Sequence, residues 1–275
     1  MVPCFKHSFI GCFFSYMEVI KLIEKWKLAL REFLKKYEED DDVIGAILCG
    51  SYALDCYNES SDIDVYLVLK DGCTYKKRGM TDSNSYLIDY SMSNKDGILG
   101  FMEDEFNNNK NSTSMMLAYG KIIYDLDDTV KYLQSKALEY VDSSFNEITS
   151  MKLDTNNYYL WNYLNKLKLM LKEDNPEFNL IYYSLLSDVY DMYSEFLGLS
   201  KLPKSKVYKI LSSEDYRRKH HIFKLPEEEF IKLYLNCFEL DKPSIMYNNM
   251  EKLINYYYKK QGGFNIRTFE ITKEN

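Results

Sequence analysis

The segment CGSYALDCYNESSDIDVYLVL, residues 49–69, places a Gly-Ser pair before a polar loop and two aspartates one residue apart at the start of an apolar run. Side chains on one face of a β-strand repeat every two positions. Asp62 and Asp64 therefore share a face, while Ile63 and Val65 point the other way. Carboxylates about 6–7 Å apart along one face repel each other, and a bound cation would remove that cost.

Apolar segments around this motif predict its neighbours in a sheet. VIGAILC, residues 43–49, is typical of a buried strand that ends at the Gly-Ser pair. SYLIDYSM, residues 85–92, predicts a third strand, on which Asp89 faces away from Ile88 and Tyr90. GKIIYD, residues 120–125, predicts a short fourth strand. Helical spacing of apolar residues over 19–37 and 95–109 predicts flanking helices, so the fold class is α/β or α+β.

The three predicted carboxylates and the Gly-Ser turn suggest complementary roles. Oxygen ligands of this kind suit Mg²⁺, which keeps coordination positions open for phosphate. Glycine lets the backbone approach a ligand closely, and the Ser51 hydroxyl with nearby N–H groups predicts a phosphate cradle. Together they are the equipment for displacement at a nucleotide phosphate. Paired aspartates alone are also common on solvated strand edges.

This set of residues resembles the signature of the DNA polymerase β-like nucleotidyltransferase superfamily, over roughly residues 43–125. The match consists of Gly50-Ser51, Ser61-Asp62-Ile63-Asp64 and Asp89. The resemblance implies that Asp62, Asp64 and Asp89 are the catalytic and metal-binding residues for two Mg²⁺ ions, with Asp89 as a ligand or as the general base. It implies that Gly50, Ser51 and Ser61 bind the nucleotide, which would be ATP or another NTP.

Two positions depart from the common form of that signature, Gly-Ser-x-Ala-Arg-Gly. Leu54 stands where the arginine is usual, and Asp55 stands where the second glycine is usual. The lost arginine removes one phosphate contact and weakens the match to the minimal, antitoxin-type members. The metal ligands are unaffected.

The second half of the chain is predicted to be all helical, which makes the whole chain α+β. Leucines at 160, 164, 167 and 171 follow one helix face, and further helices are predicted near 180–197, 207–211, 230–238 and 246–258. The expected domains are an N-terminal extension (1–16, predicted disordered), a nucleotidyltransferase domain with a small mixed sheet (17–125) and a helical bundle (126–275). This layout resembles antibiotic nucleotidyltransferases of the kanamycin type. Residues 264–272 are predicted to be a last strand or a loose tail.

Composition and charge limit the classes of molecule that this protein is expected to bind. A net charge of −7 disfavours long nucleic acids, which require clustered cations. Six cysteines without zinc-like spacing, and no apolar run of ~18–20 residues, predict a cytoplasmic protein without a membrane span. A homodimer is left open. The lysines and arginines of 201–224 suggest an anion site or an ordinary solvated face.

The expected function is Mg²⁺-dependent transfer of a nucleoside monophosphate, AMP by preference, from an NTP to a hydroxyl of a small acceptor. An aminoglycoside-like antibiotic is the leading candidate for that acceptor. The alternatives are a toxin-like transferase that modifies a protein or a tRNA end, and a non-catalytic nucleotide-binding regulatory module.

Overall fold

A five-stranded mixed sheet carries the predicted carboxylates. The computed structural model describes residues 25–239 and 242–271, so the predicted extension 1–16 and the start of the first predicted helix lie outside the described residues. The strand order is β3-β4-β2-β1-β5, with β2 and β4 parallel and the other pairs antiparallel. The strands are β1 (Val43–Cys49), β2 (Ile63–Leu69), β3 (Lys77–Ser83), β4 (Tyr86–Asn94) and β5 (Lys121–Asp125).

Four of these strands agree with the sequence prediction, and β3 was missed. Its sequence, KRGMTDS, contains one large apolar residue and is mostly exposed, because it lies at the edge of the sheet. Asn84 and Ser85 connect β3 to β4 with φ values of +50° and +66°. Two consecutive left-handed residues form the tight hairpin turn that fits the twist of antiparallel strands.

Helices cover both faces of the sheet. Ile63, Val65 and Ile88 pack against one helix, α1, through residues such as Trp26 and Phe33. The opposite face, with Ile47, Tyr66 and Val68, packs against three further helices. A short helix, α2, follows β1 directly. The helices of this region are α1 (Lys25–Leu34), α2 (Gly50–Ala53), α3 (Lys95–Asn107), α4 (Ser112–Ala118) and α5 (Thr129–Asp142), and a 3₁₀ turn (Lys35–Tyr37) follows α1.

The described residues divide into two compact units. The first comprises 25–102 and 113–141, and the second comprises 103–112, 142–239 and 242–271. The sequence analysis places 126–141 in the bundle, but α5 packs on the sheet. Val130, Leu133 and Ala137 are fully buried there, in the same cluster as Ile47 and Val68 of the sheet. An amphipathic helix has the same spacing of apolar residues whether it packs on a sheet or in a helical bundle. The sequence pattern therefore does not reveal which of the two it covers.

The second unit is helical, as predicted, with α6 (Ser150–Lys172), α7 (Phe178–Phe196), α8 (Val207–Ser212), α9 (Glu214–Lys219), α10 (Glu228–Asn236) and α11 (Pro243–Lys260). Its core is rich in tyrosine, and the Tyr193 ring stacks on Phe230 with centroids 3.8 Å apart. The predicted last strand is wrong for the described residues up to 271, which contain a 3₁₀ turn (Ile266–Thr268). Phe269 there stacks on Tyr158, because aromatic contacts rather than strand pairing hold this segment. None of the helices within the described ranges combines the length and apolar character needed to cross a bilayer.

The packing of α5 on the sheet gives a matched pair of substitutions. Leu133 is fully buried and Leu138 is 39% exposed on the same helix. Leu133→Ala is expected to lower the free energy of unfolding by about 2–4 kcal/mol because it leaves a cavity. Leu138→Ala is expected to change it by less than about 1 kcal/mol. Urea denaturation measures both, and equal effects would contradict the assignment of α5 to the core of the first unit.

Candidate active site

Asp62, Asp64 and Asp89 converge where β2 begins beside its parallel neighbour β4. Asp62 immediately precedes β2, Asp64 is the second residue of β2, and Asp89 lies opposite Asp64 in the parallel pairing of β2 with β4. Each offers a carboxylate oxygen within 4.8 Å of the others, and all three are half-buried. The period-2 prediction that these side chains share a face is therefore confirmed by their positions.

Gly50 allows this convergence. Its φ is +62°, in the left-handed region that favours glycine, and a Cβ built on it would lie 2.0 Å from Oδ2 of Asp64. Any side chain at this position would therefore push against the carboxylate. The glycine at the end of β1 thus has a definite local function, which is to leave room for Asp64.

Aromatic packing and a polar turn order the loop between the Gly-Ser pair and Asp62. The Tyr57 ring stacks on Tyr52 with centroids 4.3 Å apart and an interplanar angle of 8°. The Asn58 amide N–H donates to Oγ of Ser61, and Oδ1 of Asn58 accepts from the Ser60 N–H. This loop delivers Asp62 to the start of β2 in a defined conformation.

Leu54 and Asp55, which depart from the resembled signature, show how the loop adapts. Asp55 has φ +53°, so a left-handed residue is still required where glycine is usual. Aspartate tolerates this conformation better than most side chains. Lys121 on β5 holds the Asp55 carboxylate at 2.7 Å. No guanidinium is available from position 54.

A guanidinium reaches the carboxylates from the strand that sequence analysis missed. Nη2 of Arg78, on β3, donates to Oδ2 of Asp89 at 2.8 Å. The hydrogen bond to Asp89, with a smaller contribution from Asp64, raises the pKa of Arg78. The Lys-Arg pair at the start of β3 gives no sequence signal that sets it apart from ordinary surface charge.

The thiol nearest the carboxylates is not a reactive group. Cys49 is fully buried, and burial together with the Asp64 carboxylate raises its pKa well above the ordinary value. A thiol held in its protonated form is a poor nucleophile and a poor metal ligand. The chemistry of this site therefore depends on oxygen and guanidinium groups.

The carboxylates fit a divalent cation. Two oxygens bound to one Mg²⁺ are at most about 4.2 Å apart, because each bond is about 2.1 Å long. The observed spread of 4.8 Å needs only a small side-chain movement to match one ion, and it also suits carboxylates that bridge two ions. The donors are all hard oxygens, as Mg²⁺ prefers. Asp62, Asp64 and Asp89 would hold the metal.

The residues predicted to bind nucleotide border this cluster, and their role stays a prediction. Ser51 lies in α2 directly after Gly50. Ser61 precedes Asp62, and although its Oγ accepts from Asn58, its own hydroxyl proton can still be donated.

The basic segment 201–224 is largely paired within the second unit. Glu195 binds Lys201, and Asp215 binds both Arg218 and Lys219. Arg217 donates to the carbonyl oxygens of Ile210 and Leu211. Such pairing favours the interpretation as a solvated face over an anion site.

Comparison with known proteins agrees with this geometry. Residues 29–113 match the family model described as a nucleotidyltransferase domain, a range that includes β1 to β4 and all three aspartates. Over 62 residues the chain is 37% identical to a Methanocaldococcus jannaschii protein named as a candidate protein adenylyltransferase. That alignment covers 22% of this chain and 58% of the relative, so the chain spans little more than half of the relative's length.

A solved structure shows a looser likeness. The crystal structure of a nucleotidyltransferase-like protein from Exiguobacterium sibiricum 255-15 aligns over 86% of this chain and 77% of its own, at 12% identity and a TM-score of 0.43. The site described above does not depend on this likeness.

Gly50→Ala tests the close approach of Gly50 to Asp64. We expect it to lower both the free energy of unfolding and the affinity for Mn²⁺, because the new methyl group displaces the Asp64 carboxylate. Gly72→Ala is the matched control, since Gly72 also has a positive φ but has open space around it. That control is expected to cost about 1–2 kcal/mol of backbone strain and to leave Mn²⁺ binding unchanged. Calorimetric titration with Mn²⁺ and urea denaturation measure the two effects. Unchanged Mn²⁺ affinity in Gly50→Ala would refute the proposed clash.

Proposed function

We propose that this chain, whose residues 29–113 match the family model of a nucleotidyltransferase domain, is a member of the DNA polymerase β-like nucleotidyltransferase superfamily and transfers a nucleoside monophosphate from an NTP to an acceptor hydroxyl. ATP is the preferred donor in this proposal, and pyrophosphate is the second product. The observation that carries the proposal is the convergence of Asp62, Asp64 and Asp89 within 4.8 Å beside Gly50. Convergence of three like charges is costly unless it serves ligand binding.

Each reacting bond has a group suited to it. The acceptor oxygen attacks the α-phosphorus, the bond from that phosphorus to the bridging oxygen breaks, and the electron pair leaves with pyrophosphate. Mg²⁺, when bound, supplies charge neutralisation for the triphosphate and for the departing pyrophosphate. Asp62 and Asp64 serve as metal ligands in this proposal. Asp89 either completes the ligand set or accepts the proton of the attacking hydroxyl.

The nucleotide needs hydrogen-bond donors for its phosphate oxygens. Gly50 follows β1 directly, and the half-buried Ser51 comes next, in the first turn of α2. Ser61, whose Oγ accepts from the Asn58 N–H, retains a hydroxyl proton to donate. In this proposal, these three residues bind the nucleotide by donating hydrogen bonds to its phosphate oxygens.

A small hydroxylated molecule of the aminoglycoside type is the first acceptor class. Its support is electrostatic, because a protein with a net charge of −7 attracts a cationic acceptor better than an anionic one. Antibiotic modification and a cytoplasmic location are parts of this proposal.

A protein side-chain hydroxyl is the second acceptor class. It is favoured by the name of the Methanocaldococcus jannaschii relative, which describes transfer of AMP to protein. The segment shared with that relative covers 58% of its length and 22% of this chain. The two acceptor classes predict different labelled products.

Incubation with α-³²P-labelled NTPs and Mg²⁺ distinguishes these possibilities. The acceptor panel contains aminoglycosides, tRNA, a host-cell protein extract and the protein itself. Label on an aminoglycoside supports the first class, and label on a polypeptide supports the second. Label at a tRNA end would support the toxin-like alternative. Absence of pyrophosphate release with every acceptor would overturn the enzymatic proposal and favour a nucleotide-binding regulatory module.

Charge removal at the triad provides the sharpest test of the residue roles. Asp62→Asn and Asp64→Asn are expected to abolish transfer while leaving the unfolding midpoint equal or higher without metal, because one repulsive charge is gone. Asp41→Asn, an exposed aspartate in the turn before β1, is the matched control and should retain full activity.

Asp89→Asn separates a general base from a metal ligand. A loss of about 10²–10⁴ in rate with intact Mn²⁺ binding is expected for a general base. Complete loss with weakened Mn²⁺ binding is expected for a ligand. Near-normal rates in either Asp62→Asn or Asp64→Asn at saturating Mg²⁺ would contradict the metal assignment.

A further inference from the structure

The proposed chemistry leaves one charged group of the site without a role. Arg78 donates from Nη2 to Oδ2 of Asp89 at 2.8 Å, on a carboxylate that the proposal assigns to the metal or to the acceptor proton. The Arg78 side chain is 77% exposed, whereas that of Asp89 is 19% exposed. A surface side chain therefore reaches inward to a partly buried anion.

The position of Arg78 on β3 makes this contact specific. Arg78 is paired with Ser91, and Met80 with Asp89, in the antiparallel register of β3 with β4. Side chains directly opposite in such a pair share a face, so Arg78 and Met80 lie on the face that carries Asp89. Lys77 lies on the other face, with its Nζ 5.8 Å from the centroid of the Tyr90 ring.

Charge balance indicates how metal binding would weaken this contact. The three ionised carboxylates and the guanidinium carry a net charge of −2. A divalent ion at Asp89 would place two further positive charges a few ångströms from the guanidinium, which would be strongly repelled. Arg78 and a metal ion would therefore compete for the Asp89 carboxylate.

The triphosphate of an NTP supplies an alternative partner. It brings several negative charges to the same place, and a guanidinium binds phosphate oxygens through two parallel hydrogen bonds. Leu54 cannot make such a contact, although the resembled signature has arginine there. A cation on β3 can meet the same electrostatic need from a different element.

We propose that Arg78 is a nucleotide-binding residue that blocks Asp89 in the free protein and transfers its hydrogen bonds to the triphosphate when metal and NTP bind together. This inference rests on the proposed function of the same site. It makes metal and nucleotide binding cooperative, since each ligand removes an obstacle to the other. The simpler alternative is that the ion pair only stabilises the edge strand, where charged residues commonly discourage association.

The experiment measures two affinities in the wild-type protein and in Arg78→Gln. Electron paramagnetic resonance gives the affinity for Mn²⁺ without nucleotide, and calorimetric titration at saturating Mn²⁺ gives the affinity for α,β-methylene-ATP. Without nucleotide, Arg78→Gln is expected to bind Mn²⁺ about fivefold more tightly, which is the value of a partly exposed ion pair. With saturating Mn²⁺, the variant is expected to bind the analogue at least about tenfold more weakly, because a charged hydrogen bond is lost. These opposite changes are the signature of the proposed exchange.

Two further variants complete the design. Lys77→Gln removes a neighbouring charge of the same sign on the opposite face, and it is expected to leave both affinities unchanged. Arg78→Lys keeps the charge without the planar fork, and it is expected to restore the wild-type Mn²⁺ affinity but only part of the analogue affinity.

The outcomes separate this inference from the proposed function. If the wild-type protein binds Mn²⁺ and the analogue, and Arg78→Gln matches it in both affinities, the role of Arg78 is refuted while the proposed function stands. Equal changes in Arg78→Gln and Lys77→Gln would also refute it, since any cation at the edge would then suffice. If the wild-type protein binds neither ligand, the proposed function itself fails.

Discussion

Mutual repulsion of three carboxylates is the constraint around which the first unit is organised. At an effective dielectric constant of about 20, two unit charges 4.8 Å apart repel by roughly 3–4 kcal/mol. Burial on the other face of the same strands opposes this cost. Ile63, Val65 and Ile88 alternate with the aspartates and are almost completely buried, and each such side chain contributes about 1.5–3 kcal/mol. Where the aspartates lie, the strands are therefore anchored by apolar side chains on one face and carry the charges on the other.

Strand order converts this anchoring into geometry. Parallel pairing of β2 with β4 brings Asp64 and Asp89 side by side, although 25 positions separate them in the chain. The tight turn at Asn84 and Ser85 then returns β3 antiparallel to β4 and fixes Arg78 and Met80 along the same face. The β3–β4 hairpin thus carries both the third carboxylate, Asp89, and its cationic neighbour, Arg78.

Sequence patterns were sufficient where a residue's position depends on its own strand. Alternation located Asp62, Asp64 and Asp89 and the four strands with apolar faces, because a buried face leaves a period-2 signal. Sequence patterns did not predict β3, because this mostly exposed edge strand has no buried face to produce the alternation. For the same reason they did not predict the position of Arg78. They also could not assign α5, because its apolar face fits a sheet as well as a bundle. The left-handed φ of Asp55 shows that a signature position can keep its backbone conformation after losing its glycine.

The strands of the site differ in how firmly they are held, and this difference suits their separate tasks. β2 and β4 have neighbours on both sides, while β3 has a strand partner on one side only. Metal ligands require fixed positions, because a displacement of about 1 Å spoils coordination or attack. The exchange proposed for Arg78, from a carboxylate to a phosphate, would require freedom to move, and its side chain is 77% exposed on an edge strand. Under the proposed function, placing the carboxylates on inner strands and the cation on the edge strand would combine a rigid ligand set with an adjustable phosphate contact.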